Sequence, residues 1–148
     1  FNDENEKWFD DNALRTILFC KGALETVKKF GWPPDIIHCS GWMTALIPMY
    51  IKCAYKKEPV FSNCKVIYTL GQNTYKEKLG KEFAKLAKLN AFVKEKDLEP
   101  FNEGSNTAMF RGGATYADAI TFGAEKVDKK LVEEFTKVKG KKVLQFNS

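Results

Sequence analysis

The sequence predicts an α/β fold, a Rossmann-like parallel sheet with helices on both faces. Three observations carry that expectation. Segments with apolar residues three and four apart alternate with short compact apolar runs, the signatures of amphipathic helices and buried strands. The early strand runs end on turns of Gly, Ser or Asn before the next helical pattern begins. The 148 residues are 44% hydrophobic, 14% aromatic and 29% charged, a composition suited to one soluble globular domain with a core of its own.

The elements follow in order. Asn12 to Phe30 places Ala13, Leu14, Ile17, Leu18, Cys20, Leu24 and Val27 at helical spacing, with Asp11 or Asn12 able to cap the start and Gly31 to end it. Pro33 and Pro34 favour extended backbone, so Asp35 to Cys39 reads as a strand buried on both faces. After a Ser40-Gly41 turn, Trp42 to Tyr55 regains helical spacing, with Pro48 early enough to be tolerated. Lys65 to Leu70 is the second strand and stops at Gly71-Gln72-Asn73. Thr74 to Leu89 reads as a helix with Leu79, Phe83, Leu86 and Leu89 on one side and Gly80 as its weak point.

Asn90 to Ser105 mixes charges with Pro100 and Gly104 and reads as a loop with one short helical turn, an insertion able to serve as a lid. Thr107 to Asp118 reads as a helix in which Gly112 and Gly113 let the backbone pack closely, and Ala119 to Phe122 as a third strand. Glu125 to Val138 is the clearest helix, with Val127, Leu131, Val132 and Phe135 as its apolar set. Gly140 sits at its C-terminal end, and Lys142 to Phe146 supplies a last strand. With no repeat or linker, residues 1–148 read as a single domain whose crossovers are right-handed.

The net charge of +5 and pI of about 8.9 raise a nucleic-acid partner. The lysines mix with glutamates on helix faces, as from Lys126 to Glu134, and form no basic stripe, which argues against one. The longest apolar stretch, Ala45 to Ile51, is far short of the ~20 residues that span a bilayer, so no membrane partner is expected and the cytoplasm is the expected location. Cys20, Cys39, Cys53 and Cys64 have irregular spacing and no C-x-x-C pair, and read as reduced core thiols, with no metal site. The start on Phe1, followed by the acidic Asp3 to Asp11, reads as the middle of a longer reading frame.

In such sheets ligands bind beyond the carboxyl ends of the strands, which marks Ser40 to Trp42, Gly71 to Asn73 and Gly123 to Glu125 as the rim. His38 lies in the first strand and reads first as a buried imidazole bonded to neighbouring backbone, with a substrate-facing ring as the alternative. No partner builds a triad with it. Trp42 either fills the base of the crevice or stacks on a sugar ring. Asp35 is at the wrong edge for catalysis, and Asp118 reads as a cap or brace. Neither G-x-x-x-x-G-K-[ST] nor G-x-G-x-x-G occurs, so no cofactor is expected.

The string from Pro34 to Tyr50, Pro-Asp-Ile-Ile-His-Cys-Ser-Gly-Trp-Met-Thr-Ala-Leu-Ile-Pro-Met-Tyr, resembles the P-D-[VI]-[VI]-H-x-H-D-W-H-[TA]-[AG]-L-x-P-x-Y segment of glycogen and starch synthases. Lys65 to Gln72 is similar to their strand ending in T-V-H-N, and Tyr116 to Glu125 to Y-A-D-x-[IV]-T-x-V-S-P. The resemblance implies a retaining GT-B glycosyltransferase moving glucose from ADP-glucose or UDP-glucose to an α-1,4-glucan. This chain would be the later part of the amino-terminal, acceptor-side domain, a single partial domain over residues 1–148.

The departures bear on mechanism. The three polar positions of H-D-W-H, apart from the tryptophan, fall on Ser40, Gly41 and Met43, while His38 and Trp42 are retained. The histidine and asparagine of T-V-H-N fall on Gly71 and Gln72, and the serine and proline of V-S-P on Ala124 and Glu125. The K-x-G-G-L loop and the donor-binding domain do not occur within these residues. The resemblance therefore implies a chain with no catalytic residue of its own and no glucosyl transfer in isolation. The alternative is a non-catalytic α-glucan-binding or scaffolding protein, whose crevice around Trp42, Gln72, Asn73 and Tyr75 holds a glucan or a protein partner, with His38 as a further candidate substrate-binding residue. A homodimer through an open sheet edge is a further route to partners.

Overall fold

The computed structural model describes residues 1–123, 127–138 and 141–144. It is an α/β fold built on one four-stranded, all-parallel sheet in the order β1 (Ile36–Ser40), β2 (Lys65–Leu70), β3 (Ala119–Phe122), β4 (Lys142–Leu144). The strands pair in the order they occur in the chain, with His38 beside Ile67, Tyr68 beside Ile120 and Thr121 beside Leu144. Each carboxyl end therefore lies on the same rim.

Helix α1 (Asn12–Phe30) matches the sequence reading and stops at Gly31, whose φ of 64° is the left-handed conformation glycine adopts freely. Asp11 sits at its cap position but bonds Arg15 instead of the backbone, while Asn12 donates to the Phe1 carbonyl. The expected helix from Trp42 to Tyr55 is built in three pieces. Trp42–Thr44 is a 3-10 turn, α2 covers Leu46–Met49, and Tyr50–Ala54 widens into a π turn closed by the Tyr55 N–H on the Tyr50 carbonyl. Pro48 lies where a helix start needs no donor, so the element bends its geometry after it rather than breaking.

The expected helix from Thr74 to Leu89 shrinks to α3 (Phe83–Leu86). Gly80 takes φ 92°, and the Leu79 N–H donates to the Gly104 carbonyl, so the chain before α3 is pinned across to another loop instead of to itself. The stretch expected as a loop holds α4 (Glu95–Leu98) and a 3-10 turn at Glu99–Phe101. Val93, Leu98 and Phe101 are buried, so this segment is part of the core and not a lid. Helix α5 (Asn106–Tyr116) is capped by Ser105, whose side chain accepts from the Ala108 N–H. Helix α6 (Lys129–Thr136) is capped by Asp128 in the same way. Gly140, the first residues of the expected Glu125 helix and the end of the last strand lie outside the described residues.

Helix α2 packs on both α1 and α5, and the core lies between this layer and one face of the sheet. That face presents Cys39, Val66, Tyr68, Leu70, Ile120 and Phe122, all buried. Gly112 and Gly113 let α5 close on it. A Cβ on Gly113 would lie 2.5 Å from the buried Tyr68 ring, and one on Gly112 would lie 2.1 Å from Phe101. The alternate residues look the other way. Ile36, His38 and Ser40 on β1, with Lys65 on β2 and Lys142 and Leu144 on β4, are exposed, and Ile36 keeps 58% of its surface in water. The helical layer among the described residues thus covers one face of the sheet, and β1 is half-exposed where the sequence suggests burial on both sides.

Candidate functional site

The rim is organised by the turn after β1. Gly41 adopts φ 76° and ψ 168°, a combination that other residues adopt only under strain. Its carbonyl accepts from the Tyr68 hydroxyl at 3.0 Å and the Thr44 hydroxyl at 3.0 Å, which fixes the turn to β2 and to the following helix. Trp42 then folds inward and keeps only 4% of its surface exposed. Its ring lies 4.7 Å from Tyr75 and 4.7 Å from Phe1, centroid to centroid. Trp8 completes the group, stacked on Tyr75 at 4.8 Å.

These aromatics line a cleft of about 490 Å³ beside the carboxyl end of β1, with Ser40, Thr74, Asn2 and Glu77 as its polar groups. The amino-terminal strand-like turn supplies one wall through a bridge between Asn2 and Trp8. Two buried carboxamides flank it: Asn12 holds the Phe1 carbonyl and Asn106 holds the Thr74 hydroxyl. The acceptor oxygen of each has no hydrogen-bond partner among the described residues.

The five residues singled out from sequence fall in three places. Trp42 and Tyr75 meet in this cleft. Gln72 and Asn73 line a second one with Val127, Asp128, Lys129 and Glu133, on the α6 side. His38 is apart from both, on the uncovered sheet face, and its Nε2 is 2.7 Å from the Thr69 hydroxyl. The expectation of a buried imidazole bonded to backbone is thereby corrected. With the helical layer on one side only, alternation along β1 sends Cys39 into the core and His38 outward. Trp8 and Phe1 escaped the sequence reading because they sit in an acidic stretch with no periodicity; an isolated Trp among carboxylates was the one available signal.

Met43, at one of the departing motif positions, is held from the protein side. The Thr16 hydroxyl donates to its sulfur and the Cys20 thiol to its carbonyl, each at 3.0 Å. At Gly71 a Cβ would rest 3.7 Å from the Phe110 ring. Ala124 and Glu125 lie outside the described residues. Burial pushes the Cys20 and Cys39 thiols up to about 12, so neither is a nucleophile. Asp118 is a brace, as expected: it accepts from Lys52 at 2.7 Å and from the Val66 N–H at 2.8 Å. Among the described residues no group of three or more His, Cys, Asp or Glu could hold a metal ion, and no helix is long and apolar enough to cross a membrane.

Comparison with known proteins places these features. Residues 1–145 match the family described as the starch synthase catalytic domain. The glycogen synthase of Chlorobium limicola is 34% identical over 134 residues, covering 79% of this chain and 26% of that protein. The glycogen synthase of Desulforudis audaxviator is 32% identical over 114 residues, covering 76% of this chain and 22% of that protein. The chain thus spans about a quarter of the length of these relatives. The solved catalytic domain of starch synthase IV from Arabidopsis thaliana, bound to ADP and acarbose, superposes with a TM-score of 0.58 at 19% identity. It matches 77% of this chain and 23% of that one, a likeness of fold.

Proposed function

The chain belongs to the starch synthase catalytic domain family, and from that premise we propose that residues 1–148 are the acceptor-side part of a GT-B glucosyltransferase. They hold an α-1,4-glucan and do not by themselves move glucose from ADP-glucose or UDP-glucose. The observation that carries this reading is the lining of the first cleft: aromatic rings, neutral hydroxyl and carboxamide groups, and Glu77 as its one charged side chain. A sugar ring offers an apolar face and a girdle of hydroxyls, which such a lining suits.

A sugar nucleotide asks for something else. Its diphosphate must be stabilised as it leaves, and a cleft with a carboxylate and no Lys or Arg opposes that charge. Gly41, Gly71 and Met43 bring no side-chain donor to the rim. That the domain is partial is supported by the uncovered sheet face, since all-parallel sheets are usually covered on both. The relatives' greater length points the same way. A cytoplasmic location belongs to this reading. A scaffolding role, in which glucan is held with no part in transfer, is the second reading, favoured by Gly41, Gly71 and Met43, which offer no side-chain donor where the family motifs carry polar groups.

Calorimetric titration with maltohexaose, with cellohexaose as control, and a transfer assay with both donors test the proposal. The expected result is binding of the α-linked chain that Trp8→Ala abolishes, with no glucose incorporated. Turnover by residues 1–148 would overturn the claim of catalytic deficiency. Indifference to maltohexaose would overturn the glucan site.

A further inference from the structure

We infer that α1 is a self-complementary interface through which two copies of this chain pair antiparallel about a two-fold axis. Its inner side packs on α2, but its outer side carries large apolar groups in water. Leu14 keeps 54% of its surface exposed and Leu18 71%. At 100° per residue, Asp11, Leu14, Arg15, Leu18, Gly22, Glu25 and Lys29 fall on one stripe of about a third of the helix circumference. Nothing lies within 4 Å of a Cβ placed on Gly22, so the stripe has a seat beside Leu18, its more exposed leucine.

The occupant follows from the order of charges. In an isologous contact each position meets its partner by a fixed sum of residue numbers. Setting Leu18 over Gly22 of the second copy places Asp11 against Lys29 and Arg15 against Glu25, and the symmetry repeats both pairs. Sliding one helix a turn so that Leu18 faces Leu18 sets Asp11 against Glu25 and Arg15 against Lys21. Sliding it the other way, with Gly22 facing Gly22, sets Arg15 against Lys29. A parallel arrangement stacks Asp11 on Asp11 and Lys29 on Lys29. Of these arrangements only the first combines the apolar seat with opposite charges, and like charges oppose the other three.

Two of these charges are already positioned. Arg15 pairs with Asp11 of its own helix at 2.7 Å and stacks over the Phe9 ring at 4.4 Å, while Glu25 accepts from the Tyr55 hydroxyl at 2.6 Å. Dimerisation joins each Asp11–Arg15 pair to Lys29 and Glu25 of the other copy in a four-charge group. This inference is independent of the glucan reading, because α1's outer stripe is not part of the cleft.

Sedimentation equilibrium of residues 1–148 across a concentration series gives the test. The expected result is a monomer–dimer equilibrium. Leu18→Glu should weaken it by at least about tenfold with the circular dichroism unchanged, because an exposed side chain is being altered. Gly22→Gln is the second probe. It improves helix propensity, so it should raise the unfolding midpoint while it weakens the dimer by filling the seat. Asp11→Lys should weaken association and Asp11→Lys with Lys29→Asp should restore it. A monomer at every concentration, or a dimer that Leu18→Glu and Gly22→Gln leave intact, would overturn the inference.

Discussion

Gly113 shows how a single missing side chain positions the rim. The α5 backbone at this point lies so close to β2 that a methyl group would enter the Tyr68 ring, which is fully buried. That same ring carries the hydroxyl that holds the Gly41 carbonyl, and burial raises the hydroxyl's pKa far above the ordinary tyrosine value, so it remains a donor. Gly113→Ala should therefore cost about 1–3 kcal/mol of stability, the usual penalty of overpacking a closed site. It should also disturb the turn that feeds Trp42, so tryptophan fluorescence should shift while Gly22→Ala, in open space, leaves it unchanged. The close packing of Gly112-Gly113 was readable from two small residues in a helical pattern. Which ring fills the space was not, because Tyr68 and Phe101 are distant in sequence.

Between elements, the main tie is Asp118, which joins the π turn after α2 to the start of β2 through Lys52 and the Val66 N–H. Burial by itself would raise the carboxyl pKa, but the Lys52 and backbone hydrogen bonds outweigh it and the net shift is downward from 3.8. A depressed carboxyl contributes its stabilisation above its unfolded-state pKa and loses it as pH falls through the folded-state pKa. Asp118→Asn should cost about 1–2 kcal/mol near neutral pH. The gap between variant and wild type should close below about pH 4, which urea unfolding over a pH series would measure. A constant gap at all pH values would mean that packing, not charge, holds this corner.

The same scale shows what the sequence could tell. Helix α1, all four strand positions and α5 follow from periodicity and punctuation that the folded chain obeys. The segment before α3 does not, because Gly80 and the Leu79–Gly104 bond are a tertiary choice over a helical pattern. Val93, Leu98 and Phe101 were hidden in a charged stretch for the converse reason: isolated apolar residues show no period, although the core takes up all three. For the site, Trp42 and Tyr75 were legible from their place after strands. Their partners Trp8 and Phe1 were not, since their contact depends on how the amino-terminal stretch lies across the rim.

For the molecule as a whole, the asymmetry of the sheet decides where stability resides. Leu70 and Ile36 are both strand residues with large aliphatic side chains, one fully buried under α5's layer and the other mostly in water. Leu70→Ala removes packed atoms and leaves a cavity, and should cost about 2–5 kcal/mol. Ile36→Ala removes atoms that water already touches and should change stability by no more than about 0.5 kcal/mol. The two variants share chemistry and strand context, so their difference isolates the cover on each face. If Ile36→Ala proved as costly as Leu70→Ala, then the face that carries Ile36 and His38 would be covered in solution. The chain would then be meeting a partner there, and the antiparallel α1 contact would not be its main association. A small cost confined to Ile36, Ile67 and Leu144 would instead locate the whole folding core between one sheet face and the α1, α2 and α5 layer. The other face would then be a surface that adds nothing to the stability of residues 1–148, the condition expected of a domain whose second layer lies elsewhere in a starch synthase-type protein.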